Sequence, residues 1–515
     1  MRAIKRPFMT QNEQIHVETE IGRLRRLIIH SPDGGIGKVV PAKFKEWLYD
    51  DTVHLSQMRR EYNQYVKLLL HFTDPEKAAY VIDFEKSQKD KIQPDCYKPD
   101  NPAYFNSKNV LDTQFLLSEL LEQDSLRQRL ISAVCGWEGS SSRTEKKLMA
   151  VDRSEDLAKA LITGIIKEGG EDTGEFIFAP LPNFIFTRDI AIAVNNHLLL
   201  SNAASPARER ESLLMKFIAQ YALFKNQREK LIEISEPSNF FLLSQEEQAL
   251  QKTSLEGGDV MMISPNHLLI GCSERTTPAG INEAIHNIFA DAGTGIEKIS
   301  VIKIPQHRAM MHIDTVFTQV RKDTWVLFGP FSEKIMQLDK RSQYSYIKRL
   351  HPDHHEDRGF KIEILRFQKP LSETYAPYKN YEVSIKPHIT GLESLLRDIS
   401  VHDFGVDPDK VQIIYSGNNT FPYDEREQWT DSCNLLALKD GVVVGYDRNE
   451  LTINTFKKKG FQVKNAERLN EELAAGQLKA DDIENTLILL PSAELSRARG
   501  GSHCMSQPLL RDVLG

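Results

Sequence analysis

The stretch DIAIAVNNHLLLS, from Asp189 to Ser201, opens on an acid, runs through apolar residues, turns on two asparagines and runs apolar again. Two short apolar runs around a polar turn are the pattern of a β-hairpin with buried strands. The same grammar returns in DVMMISPNHLLIG (259–271), DTVFTQVRKDTWVLFG (314–329) and NLLALKDGVVVGY (434–446). Helix-like segments follow at least two of them, at 207–224 and 281–292. Recurrence at intervals of about 55 to 120 residues implies a repeated hairpin-plus-helix module. The competing reading is that hairpins simply resemble one another. What favours the module is the Asp or Asn that opens each copy: modules set around an axis would send those side chains to one central site. LRRLIIH (24–30), closed by Pro32-Asp33-Gly34-Gly35, reads as a strand and the start of a fifth, divergent copy.

Outward from these hairpins the texture differs. Apolar residues at Leu55, Met58, Tyr62, Tyr65, Val66 and Leu69 follow the helical period. A helix is expected around 43–48, a strand at 80–84 and a polar surface loop at 86–109. Two helical blocks follow, at 110–134 and 154–167, punctuated by EGSSSR (138–143). The chain therefore divides into a first module (1–54), a mostly helical insertion (55–168) and the remaining modules (169–515), with an extended segment at about 330–390. Within that segment HPDHH (351–355) reads as a solvated loop, because neither Cys nor a Glu-x-x-His spacing supports a metal site. A helix is expected over 391–405 and a strand over 411–415.

Bulk properties narrow the function. The 515 residues are 40 % apolar, enough for a large core. A net charge of −7 argues against nucleic-acid binding and is compatible with a small cationic substrate. Five scattered cysteines without CxxC suit a reducing compartment. With no apolar leader and no run of 18 apolar residues, a cytoplasmic protein without membrane partners is expected. Oligomeric state is open, a dimer or tetramer being compatible.

Chemistry concentrates in RGGSHCMS (499–506). Two glycines permit a tight turn, and Arg499 suggests an electropositive loop in which Cys504 would become a thiolate near neutral pH. An ordinary Gly-rich turn with a half-buried Cys is the alternative. His312, in HID (312–314), is the best proton shuttle; a core histidine is the alternative. On a strand, His312 and Asp314 would share a face. Asp189, Asp314 and Glu256 lie at or beside hairpin starts among apolar neighbours, so they need cationic partners, internal or bound. Arg208, Arg275 and Arg499 can clamp a carboxylate bidentately, or form surface salt bridges. Carboxylates hold a guanidinium and arginines hold a carboxylate; the molecule with both ends is arginine.

At this point the chain resembles the arginine deiminases, among the guanidino-group-modifying enzymes. The matching blocks are LPNFIFTRD (181–189), ARERE (207–211), LEGGDV (255–260), SERT (273–276), HIDTVFT (312–318), EREQWTD (425–431), GYDRN (445–449) and RGGSHCMSQPL (499–509), in the family's order. The resemblance implies an α/β fold, a five-module pseudo-symmetric propeller with a helical insertion. It implies hydrolysis of free L-arginine to citrulline and ammonia through a covalent Cys-amidino intermediate, with no metal or organic cofactor. Cys504 matches the nucleophile and His312 the general acid/base. Asp189 and Asp314 match the guanidinium-binding carboxylates, with Glu256 beside them. Asn183, Arg208, Arg275 and Arg499 match positions that hold the amino-acid end. Departures are Ile190, where a proline often stands, and extra length at 86–109, 238–253 and 330–390. Rival activities are an amidinotransferase, an agmatine or methylarginine hydrolase, and a guanidine-binding protein without turnover. A cysteine-dependent phosphatase is rejected, since Arg511 follows Cys504 at the wrong spacing.

Overall fold

The computed structural model describes residues 14–89, 91, 93–166, 176–237, 240–335, 362–370, 382–383, 385–386, 388–497 and 499–515. The HPDHH tract lies outside them, as does much of 330–390. Helices and five small sheets make a mixed α/β fold; among the described residues no strand ladder joins the sheets into a closed barrel.

Each repeated stretch is an antiparallel hairpin. Ala191–Val194 pairs with His197–Leu200, and Val260–Ser264 with His267–Cys272. Phe317–Arg321 pairs with Thr324–Leu327, and Leu436–Lys439 with Val442–Tyr446. In each, the second strand is then joined in parallel by a later strand: Leu231–Glu233, Lys298–Lys303, Gln412–Tyr415 and Thr486–Leu490 respectively. A parallel pairing needs a long crossover. The helices Glu209–Ile218, Pro278–Ala290, Leu392–His402 and Glu450–Lys458 supply it. Strands covered on both faces read as unbroken apolar runs, which is why these were legible.

The remaining sheet has the same plan, built from the two ends of the chain. Leu24–Ile29 runs antiparallel to Gln507–Arg511 and parallel to Val110–Asp112. The last strand thus closes on the first, and the Cys504 loop is tied to the start of the chain.

Local readings in 75–137 need correction. Residues 80–84 lie in the helix Pro75–Ser87, not a strand: Pro75 occupies its first turn and Asp74 caps it, accepting from the Lys77 amide. The 86–109 stretch is not simply a surface loop, since Cys96, Tyr97, Tyr104 and Phe105 are buried. Val110–Asp112 is a strand and not the start of a helix. Asp112 accepts from the amides of Gln114 and Phe115, so the helix Thr113–Leu121 begins only after it.

The helices Thr113–Leu121, Asp124–Trp137 and Ser154–Thr163 pack through Leu117, Leu130 and Leu161 into one apolar cluster with Ala193 and Leu199 of the Ala191–Leu200 hairpin. Leu55–Thr73 contributes Tyr65 and Leu69 to the apolar cluster that also holds Leu436, Val444 and Cys504. Helical packing therefore backs the loop that carries the thiol.

Candidate active site

The acids that open the hairpins sit on single helical turns leading into the strands: Thr187–Ile190, Gly257–Asp259 and Ile313–Thr315. This corrects the expectation that His312 and Asp314 share a strand face. His312 is extended, the chain turns at Ile313–Thr315, and Thr315 Oγ1 donates back to the His312 carbonyl at 2.7 Å.

Opposite them, the cysteine loop turns through Arg499 (φ 65°) and Gly500 (φ 88°). A Cβ on Gly500 would lie 2.3 Å from the Phe186 ring, and one on Gly501 2.4 Å from the Asn434 carbonyl. Only glycine allows that approach. Asn434 then clamps the loop. Its Oδ1 accepts from the amides of Gly501 and Cys504, each at 3.0 Å, while its Nδ2 lies 3.2 Å from Cys504 Sγ.

One pocket is lined by Cys504, His312, Asp189, Glu256, Asn183, Arg208, Arg275 and Arg499. The ninth sequence-derived residue, Asp314, lies against the thiol, with Cys504 Sγ 3.4 Å from its Oδ2. His312 Nε2 is 3.1 Å from Glu256 Oε2, and its Nδ1 is 3.7 Å from Asp189 Oδ1. Arg208 Nη1 donates to Asp189 Oδ2 (2.7 Å) and Glu256 Oε2 (3.1 Å), and its Nε to Glu211 Oε2 (2.9 Å). Arg499 donates to the carbonyls of Arg308 (2.9 Å) and Ala309 (3.0 Å) and stacks on Trp429, 4.1 Å from the ring centre. Asn183 Nδ2 donates to the Trp47 carbonyl at 2.9 Å. Arg275 is buried, and its Nε makes no hydrogen bond, with Glu274 Oε1 3.7 Å away.

The charge around the thiol is opposite to the sequence expectation. Burial, with the Asp314, Asp189 and Asp431 carboxylates, holds the Cys504 thiol well above its ordinary value. An electropositive loop and a resting thiolate are therefore not what forms: Arg499 turns its guanidinium to backbone carbonyls, and acids face the sulfur. His312 is affected in the reverse sense. Burial disfavours its charge, but Asp189 and the Glu256 hydrogen bond outweigh that and push it up to about 9. Burial pushes Asp189 up, and Glu211 up to about 7, against the pull of Arg208. Asp314, despite burial, is held low by its hydrogen bond to His503.

Several buried polar atoms are left over. Asp189 Oδ1, Asp314 Oδ1 and His312 Nδ1 are buried and make no hydrogen bond. Asp189, Glu256 and His312 also offer ligand atoms within 4.8 Å of one another, a spacing that could hold a cation. The Arg208 guanidinium already lies between the two carboxylates.

Sequence reasoning missed Asn434 as a site residue, although it opens the fourth hairpin where the others carry Asp. It also missed the support behind Asp314. His503 Nδ1 lies 2.9 Å from Asp314 Oδ2, and its Nε2 lies 2.9 Å from Arg188 Nη2 and 3.3 Å from Glu20 Oε2. Only adjacency to Asp189 and Cys504 signalled Arg188 and His503; nothing signalled Glu20.

A family model described as arginine deiminase matches residues 45–511. The chain belongs to the arginine deiminase family. It is accordingly an enzyme of that type, hydrolysing arginine to citrulline. Among its relatives, the arginine deiminase of Latilactobacillus sakei is 28 % identical over 503 residues, covering 96 % of this chain and 98 % of that protein. That of Levilactobacillus brevis is 27 % identical over 501 residues, covering 97 % and 99 %. Among solved structures, an amidinotransferase of saxitoxin biosynthesis from Microseira wollei superposes with a TM-score of 0.45 at 11 % identity, covering 97 % of this chain and 99 % of that one. No helix among the described residues is long and apolar enough to cross a membrane.

Proposed function

We propose that the buried cavity hydrolyses free L-arginine with Cys504 as nucleophile, His312 as general acid then base, and Asp189 and Asp314 as the guanidinium grip. The observation that carries this is the set of unbonded buried acceptors beside the sulfur. A buried acceptor left without a donor costs about 1–3 kcal/mol. A planar guanidinium brings five N–H donors and one positive charge, which complements the unbonded Asp189 Oδ1 and Asp314 Oδ1 in hydrogen-bond sense and in charge. Arg208 uses Asp189 Oδ2 and Glu256 Oε2, so Oδ1 remains for the substrate.

The same cation resolves the high thiol pKa. A guanidinium between two acids and the sulfur offsets the carboxylates that hold the proton on Cys504. The Cys504 proton is released to solvent, the thiolate attacks the guanidinium carbon and an Sγ–C bond forms. Protonated His312 delivers its proton to the departing nitrogen, the C–N bond breaks and ammonia leaves a thiouronium on Cys504. Neutral His312 takes a proton from water as its oxygen attacks the same carbon. The Sγ–C bond breaks, the remaining hydroxyl proton of the adduct passes to the sulfur, citrulline departs and the thiol is restored. Glu256 holds the His312 ring throughout.

Asn183, Arg208, Arg275 and Arg499 bind the amino-acid end, Arg275 with an unbonded Nε and Arg499 from the stack on Trp429. In the wider architecture the five sheets form a pseudo-symmetric propeller with the helical insertion at 55–168. The shared order of hairpin, helix and parallel strand supports this, as does the closure of the last strand on the first. The test is citrulline and ammonia release from free arginine, with and without an amine acceptor. Release that Cys504→Ser abolishes is expected; transfer of the amidino group to the amine, or a Cys504→Ser protein with unchanged turnover, sinks the reading.

A further inference from the structure

Asp259 opens the second hairpin as Asp189 and Asp314 open theirs, yet it does not line the cavity. It is fully buried. Its Oδ1 accepts from the Ile313 amide at 2.9 Å, the peptide N–H between His312 and Asp314. Its Oδ2 accepts from Ser273 Oγ at 2.6 Å. Ser273 Oγ in turn accepts from the amides of Arg275 (3.0 Å) and Thr276 (3.2 Å). Thr276 Oγ1 accepts from the Glu256 amide at 3.2 Å. From these contacts we infer that Asp259 is a positioning residue that sets both ends of the substrate site at once, fixing the His312–Asp314 turn with one oxygen and the Arg275 loop with the other. The inference rests on the residue roles proposed above.

The hydrogen-bond inventory makes the demand specific. A hydroxyl has one proton and two lone pairs. Both lone pairs of Ser273 Oγ are committed to backbone amides, so its proton must go to Asp259. The Ile313 amide can only donate. Position 259 must therefore accept on both sides, which a carboxylate does and an amide does not. Space is as tight: a Cβ on Gly271 would lie 2.3 Å from Asp259 Oδ1 and 2.5 Å from Ile313 Cγ2, so only glycine admits the carboxylate there. Asp259→Asn keeps the shape and removes one acceptor, turning an N–H₂ toward a donor or a saturated hydroxyl. Ser273→Ala releases the Arg275 loop while leaving the Ile313 contact in place.

The two variants are compared with wild-type protein in steady-state kinetics on arginine, with melting temperature as a folding control. Asp259→Asn is expected to lower kcat by about tenfold or more and to raise KM by about fivefold. Ser273→Ala is expected to raise KM by a similar factor and to leave kcat within about twofold. A merely structural role shrinks the active fraction, lowering kcat with KM unmoved; that pattern in either variant overturns the inference. So does Asp259→Asn with both constants within about twofold of wild type. If Asp259→Asn does not fold, Ser273→Ala decides alone: a raised KM supports the link and an unchanged KM ends it. Wild-type and Cys504→Ser controls separate the two levels. An inactive wild type or an active Cys504→Ser brings down the site reading and this inference with it; normal controls with an unmoved KM count against Asp259 alone.

Discussion

The floor and the rim of the cavity are built by different means. On the floor, Asp189, Glu256, His312, Asp314 and Cys504 are buried side chains held by one another and by Arg208, His503 and Asn434. At the rim, Asn183 and Arg499 are held by backbone carbonyls of Trp47, Arg308 and Ala309, with Trp429 half-exposed beneath the Arg499 guanidinium. Ionic contacts in a low dielectric are strong and leave little freedom. Loop carbonyls give a softer frame. On the roles proposed above, the floor fixes the chemistry and the rim adjusts affinity.

That contrast can be broken by substitution. The largest effect is expected from Asp189→Asn, which removes a floor charge: calorimetry should show arginine affinity reduced by about 100-fold, as for a lost buried charge-assisted contact. Unchanged affinity would place the guanidinium elsewhere. Asn434→Ala frees the amides of Gly501 and Cys504 and should lower kcat by about tenfold with KM little changed, read from citrulline formation. Trp429→Ala tests the rim and should be smallest, raising KM about threefold through loss of the stack while kcat holds.

A pH series sharpens the same comparison through His312 on the floor. His312 has its pKa raised from 6.5 to about 9, so its charged form is favoured by folding. The stability this contributes is fully present below pH 6.5 and is lost as pH rises through about 9. Activity should fall over the upper part of that window as His312, the proposed general acid, deprotonates, and melting temperature should fall with it. A melting temperature flat from pH 6.5 to 9.5 would argue against a charged His312.

Much of the fold was legible because its strands are buried on both faces. Such strands must be written as apolar runs between turn residues, as in 189–201 and 434–446, and those runs survive inspection of the chain alone. The strand Val110–Asp112 was not legible. Three residues directly ahead of the helix Thr113–Leu121 carry no period of their own, and only pairing with Leu27–Ile29 defines them. The helix over 80–84 was misjudged for the opposite reason, since its apolar residues mimic a strand once the Asp74-Pro75 start is overlooked. In the site, each acid beside a hairpin start was visible, whereas Glu20 was not, because it meets His503 across 483 residues.

The sequence by itself determined the inventory: one thiol loop, one histidine, a set of acids opening hairpins, and the order in which they occur. It could do so because hairpin starts, glycine turns and apolar runs are local necessities. Tertiary structure alone decided the field these groups experience. Cys504 meets Asp314 across 190 residues, and Arg499 turns away from the sulfur to two carbonyls. The sign of the charge at a buried atom depends on which groups lie within a few ångströms, and chain order does not encode that distance.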